Sequence, residues 1–133
     1  MVTYRALGSN GRLGNQLWQI AATIGLAYHH DEPVHLPAWK YQPYFNFPAD
    51  LFTGAQGQDA SDLAQHLPPE QRPYLQDLTL IEGVEELLRF WLEPSPQAQA
   101  IVGPLAYEYD VAASHAVHVR RGDYAEQWRG HGM

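Results

Sequence analysis

Apolar and polar positions divide the chain into short strand-like runs and a few helical stretches. Residues 2–7 mix β-formers with one charge and predict a strand, which Gly8, Ser9, Asn10 and Gly11 stop. Over residues 15–30 the spacing becomes helical, with Leu17, Ile20, Ala21, Ile24 and Tyr28 on one face. Trp18, Ala22 and Leu26 make the other side apolar too, so this helix is expected to be buried on most faces. His29 and His30 close it, where neutral or positive groups suit the helix dipole. Asp31, Glu32 and Pro33 turn the chain, and Val34, His35 and Leu36 predict a second brief strand. Strand, glycine-rich turn, helix, strand is the βαβ order of a parallel sheet, so an α/β fold is expected.

The middle of the chain is less regular. Residues 39–52 carry six aromatic side chains and read as an ordered loop. Residues 54–62 are polar and read as a mobile segment. Pro68, Pro69 and Pro73 forbid a continuous helix there, and residues 74–76 suggest another strand. Thr79 and Glu82 have the spacing of a capping box, followed by an apolar stripe of Leu80, Val84, Leu87, Leu88 and Trp91. Early Glu82, Glu85 and Glu86 and late Arg89 match the dipole of that helix, which Pro94 ends. Ser95 and Pro96 predict the cap and first residue of a short helix to Val102, stopped by Gly103 and Pro104. Residues 116–120 predict the last strand, and Gly122 and Asp123 its turn.

Composition narrows the function classes. The 133 residues are 45% hydrophobic and 17% charged, enough apolar content for one packed domain. A net charge of -7 argues against nucleic acid as a partner, because phosphate neutralisation needs a basic face. With no Cys, disulfides, thiolate metal sites and Cys nucleophiles are excluded. No apolar run approaches a spanning helix of about 18 residues. Met1 to Arg5 lacks the apolar core of a signal peptide. A cytoplasmic protein is expected, with peripheral membrane association and oligomeric state left open.

Two segments carry candidate chemistry. Gly11-Arg12-Leu13-Gly14-Asn15-Gln16 joins the first strand to the first helix. Glycines let the backbone approach a ligand, and a helix start presents free amides suited to phosphate. Asn15 adds an amide that can both donate and accept. A tight turn packed on the sheet explains the same glycines. Gly8, Gly11 and Gly14 give GxxGxxG, which is neither the dinucleotide fingerprint nor a Walker loop. The second segment is His118-Val119-Arg120-Arg121-Gly122-Asp123-Tyr124. On a strand His118 and Arg120 share a face, and an Arg at a strand's carboxyl end sits where α/β sheets bind ligands. Its planar fork suits a diphosphate. A plain Arg–Asp ion pair is the alternative. His115 and His118, three apart on a strand, face opposite ways, so no metal is expected between them.

Taken together and in this order, the two segments resemble the N-terminal GGLGNQ motif and the HxRRGDY donor motif of the α-1,2-fucosyltransferases, glycosyltransferase family 11. The resemblance implies a Rossmann-like, three-layer half of a GT-B-like glycosyltransferase, with GDP-fucose as donor, a glycan acceptor, inversion at the sugar carbon and no required metal or cofactor. It implies that Arg120 is the catalytic phosphate-binding residue. Gly11, Gly14, Asn15, His118, Gly122 and Asp123 then belong to the donor site. Residues 1–113 would form the N-terminal half and 114–133 the first strand and turn of a donor-binding half, little of which follows Tyr124. Weak or no activity is therefore expected of this chain by itself. A non-catalytic nucleotide- or glycan-binding remnant and an α/β interaction module remain the other readings. A general base is not assigned, since Asp31, Glu32 and Asp50 each read as solvated surface carboxylates.

Overall fold

The computed structural model describes residues 1–118. They fall into two compact units, Met1–Gln99 and a second that starts at Ala100.

The first strand, β1, is Val2–Thr3. It is shorter than residues 2–7 because the backbone turns at once: Leu7 N–H donates to Tyr4 O, and Ser9 N–H to Ala6 O. The Arg5 N–H is diverted to the Asp59 carboxylate at 2.9 Å, which removes it from any ladder. β1 pairs in parallel with β2, Gln58–Asp59, in the register Val2 to Gln58 and Thr3 to Asp59. On its other edge Val2 makes one parallel bridge to Val34, using Val2 N–H to Pro33 O and His35 N–H to Val2 O. The strand expected at residues 34–36 is thus a single bridge. The described residues thus form a small mixed structure of helices and a two-strand parallel sheet, compatible with an α/β fold.

Helix α1, Leu13–His29, matches the helical spacing closely. Ten of its seventeen residues are buried, as expected for a helix apolar on several faces. Tyr28 is the exception on the expected face, at 61% exposed. Gly25 lies where α1 meets the 3-10 turn Leu78–Ile81, and a Cβ there would run into the Leu80 carbonyl.

The polar segment 54–62 is more ordered than its composition suggests. It contains β2 and the short helix α2, Ala60–Leu63. Asp59 caps α2 by accepting from Ser61 N–H at 3.0 Å, and Ala60 is completely buried. Residues 74–76 form no strand: Leu75 has φ +54 in a turn, with its side chain fully buried. The aromatic loop contains two 3-10 turns, Gln42–Tyr44 and Ala49–Phe52. Five of its six rings pack into one cluster around Trp39, which stacks on Phe45 and Phe52 and meets Tyr41 and Phe47 edge-on.

The expected capping box at Thr79 and Glu82 is not formed. Asp77 is the cap, accepting from Thr79 N–H at 2.9 Å and from its hydroxyl at 2.8 Å. The 3-10 turn ends at Glu82, which is extended, and helix α3, Glu85–Trp91, starts separately beyond Gly83. Leu80, Val84 and Leu88 are buried as expected, whereas Leu87 is exposed. The two Thr79 hydrogen bonds, then His66 at 3.0 Å, hold the Asp77 carboxyl below its ordinary range. That contribution is complete above the unfolded carboxyl pKa and is lost as pH falls through the lower folded value. Asp77→Ala should cost about 1 kcal/mol at neutral pH, the usual worth of such a cap. Urea midpoints of variant and parent should converge on acidification, and a gap that persists unchanged at low pH would contradict this.

Helix α4 is Pro96–Glu108, with Ser95 Oγ accepting from Ala98 N–H at 3.2 Å, as the Ser-Pro start predicts. It runs through Gly103 and Pro104 rather than stopping at Val102. Proline removes one backbone donor, and here the helix continues past that missing bond. Residues 116–118 have no regular secondary structure, so this half of the expected last strand is absent. Val119 and Arg120 lie outside the described residues.

Candidate functional site

The turn after β1 is built from buried amides rather than from glycine alone. Gly11 has φ +77, and a Cβ there would strike the Asn15 side chain, so the turn closes only with glycine at this position. Gly14 lies in the first turn of α1 with open space around it. Among the described residues no side chain caps α1, and its first turn contains no acidic residue, which leaves its leading amides and positive dipole end without a partner there. Residues 11–14 are exposed.

Polar side chains projecting from α1 hold this turn from below. Gln16 donates Nε2 to Gly11 O at 3.0 Å and accepts from the Trp39 indole at 2.8 Å. Gln19 is fully buried and donates Nε2 both to Asn10 O and to Pro73 O, each at 2.9 Å. Thr23 donates its hydroxyl to Gln19 O at 2.6 Å. The Tyr4 hydroxyl donates to Pro73 O at 2.6 Å and accepts from Asn10 Nδ2 at 2.9 Å. Burial pushes the Tyr4 phenol above its ordinary pKa, with Asn10 opposing. Residues 73–76 therefore form a second wall beside the turn, and Gln76 Nε2 donates to Asn15 Oδ1 at 2.6 Å.

Of the expected site residues, the structure brings Gly11, Gly14 and Asn15 together at the start of α1. His118 lies in the second unit, exposed and without regular secondary structure. Arg120, Gly122 and Asp123 lie outside the described residues, and so does the expected convergence of Arg120 on the glycine turn. Asp31 and Asp50 are exposed, and Glu32 pairs with the Met1 ammonium, in keeping with their reading as surface carboxylates. Tyr4, Asn10, Gln19 and Gln76 were not anticipated from the sequence, and Gln16 entered only as the last residue of the glycine segment. For Gln16 and Gln19 a signal existed: together with Thr23 they recur at helical spacing, a polar stripe inside an otherwise apolar helix.

No protein-family model, no curated protein and no solved structure matches this chain. No helix among the described residues is long and apolar enough to cross a membrane.

Proposed function

We propose that this chain belongs to a glycosyltransferase that moves fucose from GDP-fucose to a galactoside or other glycan acceptor, with inversion and without a metal. In this reading residues 1–113 form a Rossmann-like half of a GT-B-like enzyme, and the protein is cytoplasmic. The observation that carries the reading is the exposed, uncapped start of α1 beneath the Gly11 turn, in the same residues that resemble the family's N-terminal motif.

The chemistry asks for donors where charge grows. As the bond to the sugar carbon breaks, negative charge develops on the β-phosphate of the leaving GDP. The leading amides of α1 and the Asn15 Nδ2 are donors that need no reorganisation as that charge appears. Arg120 would add a bidentate, charged partner.

The test is a GDP titration of the 133-residue chain followed by NMR. Binding of millimolar order is expected, about 4 kcal/mol, with shifts at the Gly14 and Asn15 amides. Arg120→Lys should weaken it, because Lys cannot form the fork. Transfer to a galactoside by these residues alone should be negligible, since the resemblance covers only the first donor motif. Absence of any GDP-induced shift would leave the chain an α/β interaction module. Robust transfer would overturn the view of what the site requires.

A further inference from the structure

Building on the reading that the turn at residues 11–16 takes the phosphates of a nucleotide sugar, we propose that Gln76 is a positioning residue that fixes which end of the Asn15 amide faces the ligand. An Asn side chain can present either its oxygen or its nitrogen, and only the nitrogen donates to a phosphate. Here Oδ1 is engaged by Gln76 Nε2 at 2.6 Å. The other end, Nδ2, lies against Gly11 and is the first atom a Cβ at that position would meet. With Gln76 donating to Oδ1, the Asn15 donor is the end left for the turn.

The surroundings fix the backbone that leads into Gln76. Leu75, the preceding residue, keeps φ +54 with its side chain fully buried, a conformation a non-glycine residue retains only where its surroundings impose it. Pro73 O is anchored twice, by the Tyr4 hydroxyl and by Gln19 Nε2. Gln19 sits four residues after Asn15 on α1 and therefore on the same face, with side chains leaning toward the helix start. Its Nε2 ties Asn10 O to Pro73 O, and its Oε1, fully buried, has no hydrogen-bond partner among the described residues. The Asn15 amide thus presents a donor at the turn, which suits a ligand with phosphate oxygens.

The side chain of Gln76 is exposed, so substitutions there leave the core intact. In the full 133-residue chain, Gln76→Met removes the donor and Gln76→Glu replaces it with an acceptor. For Gln76→Met the Kd for GDP should rise about fivefold, the scale of one hydrogen bond, with the thermal midpoint unchanged. For Gln76→Glu the Asn15 amide should turn over. The NOE between Asn15 Hδ2 and Gly11 Hα should vanish and GDP binding should be lost. If the parent chain binds GDP and Gln76→Met binds it equally well, or the NOE persists in Gln76→Glu, Gln76 has no positioning role and the donor-site reading stands. If the parent chain shows no GDP shift at Gly14 or Asn15, the donor-site reading falls and this inference falls with it.

Discussion

Gly25→Ala should destabilise the protein by about 1–3 kcal/mol, although alanine is the better helix former. In an exposed helix the same change would gain about 1 kcal/mol from propensity. The sign reverses here because the new Cβ would collide with the Leu80 carbonyl, a backbone atom that cannot rotate away. Leu80 lies in the 3-10 turn Leu78–Ile81, whose start is held by the two hydrogen bonds from Thr79 to Asp77. Relief would require α1 and this turn to separate, opening the core around Leu80, Ile24 and Leu88. Urea unfolding followed by tryptophan fluorescence reads the loss as a lower midpoint at unchanged slope. A midpoint equal to or above that of the parent would show that α1 and the turn are not pressed together as described.

Trp39→Ala should be costlier still, about 3–5 kcal/mol, the range for a buried Trp truncated to alanine. The indole is the hub of the aromatic cluster, stacked on Phe45 and Phe52 with Phe47 and Tyr41 at its edges. Its removal leaves those rings facing a void, and it also strips the buried Gln16 Oε1 of its donor. Trp39→Phe separates the two effects. It keeps an aromatic ring in the cluster but leaves Gln16 Oε1 unpaired, which should account for about 1–3 kcal/mol of the loss. Because Gln16 also holds Gly11 O, the amide resonances of Gly11 and Arg12 should move in Trp39→Phe. Unchanged resonances there would mean that the aromatic loop and the glycine turn are not linked through Gln16.

This link was invisible to sequence reasoning, and the reason is physical. Trp39 and Gln16 are 23 positions apart, and neither indole nor amide has a local pattern that names its partner. Asn15 and Gln76 are 61 apart and meet where Tyr4 and Gln19 hold Pro73 beside the turn. Gly11 and Asn15, by contrast, were legible as site candidates, since a glycine turn entering a helix is a local feature.

What the sequence determined by itself is what depends on neighbours a few residues away. The 3.6-residue spacing placed α1, the Ser95-Pro96 pair placed the start of α4, and the order of the first elements implied parallel pairing. Tertiary structure decided the rest. β2 forms in a polar segment because β1 offers it a free edge and Asp59 is met by Arg5, not because its residues favour a strand. The Thr79–Glu82 spacing yielded to Asp77, since a cap forms where the backbone already turns, and Glu82 left helical geometry at Gly83. The amide donors of Gln16 and Gln19 can be buried in α1 because loop carbonyls at Gly11, Asn10 and Pro73 accept from them: a buried donor is tolerated where its hydrogen bonds are met, and those partners lie outside the helix.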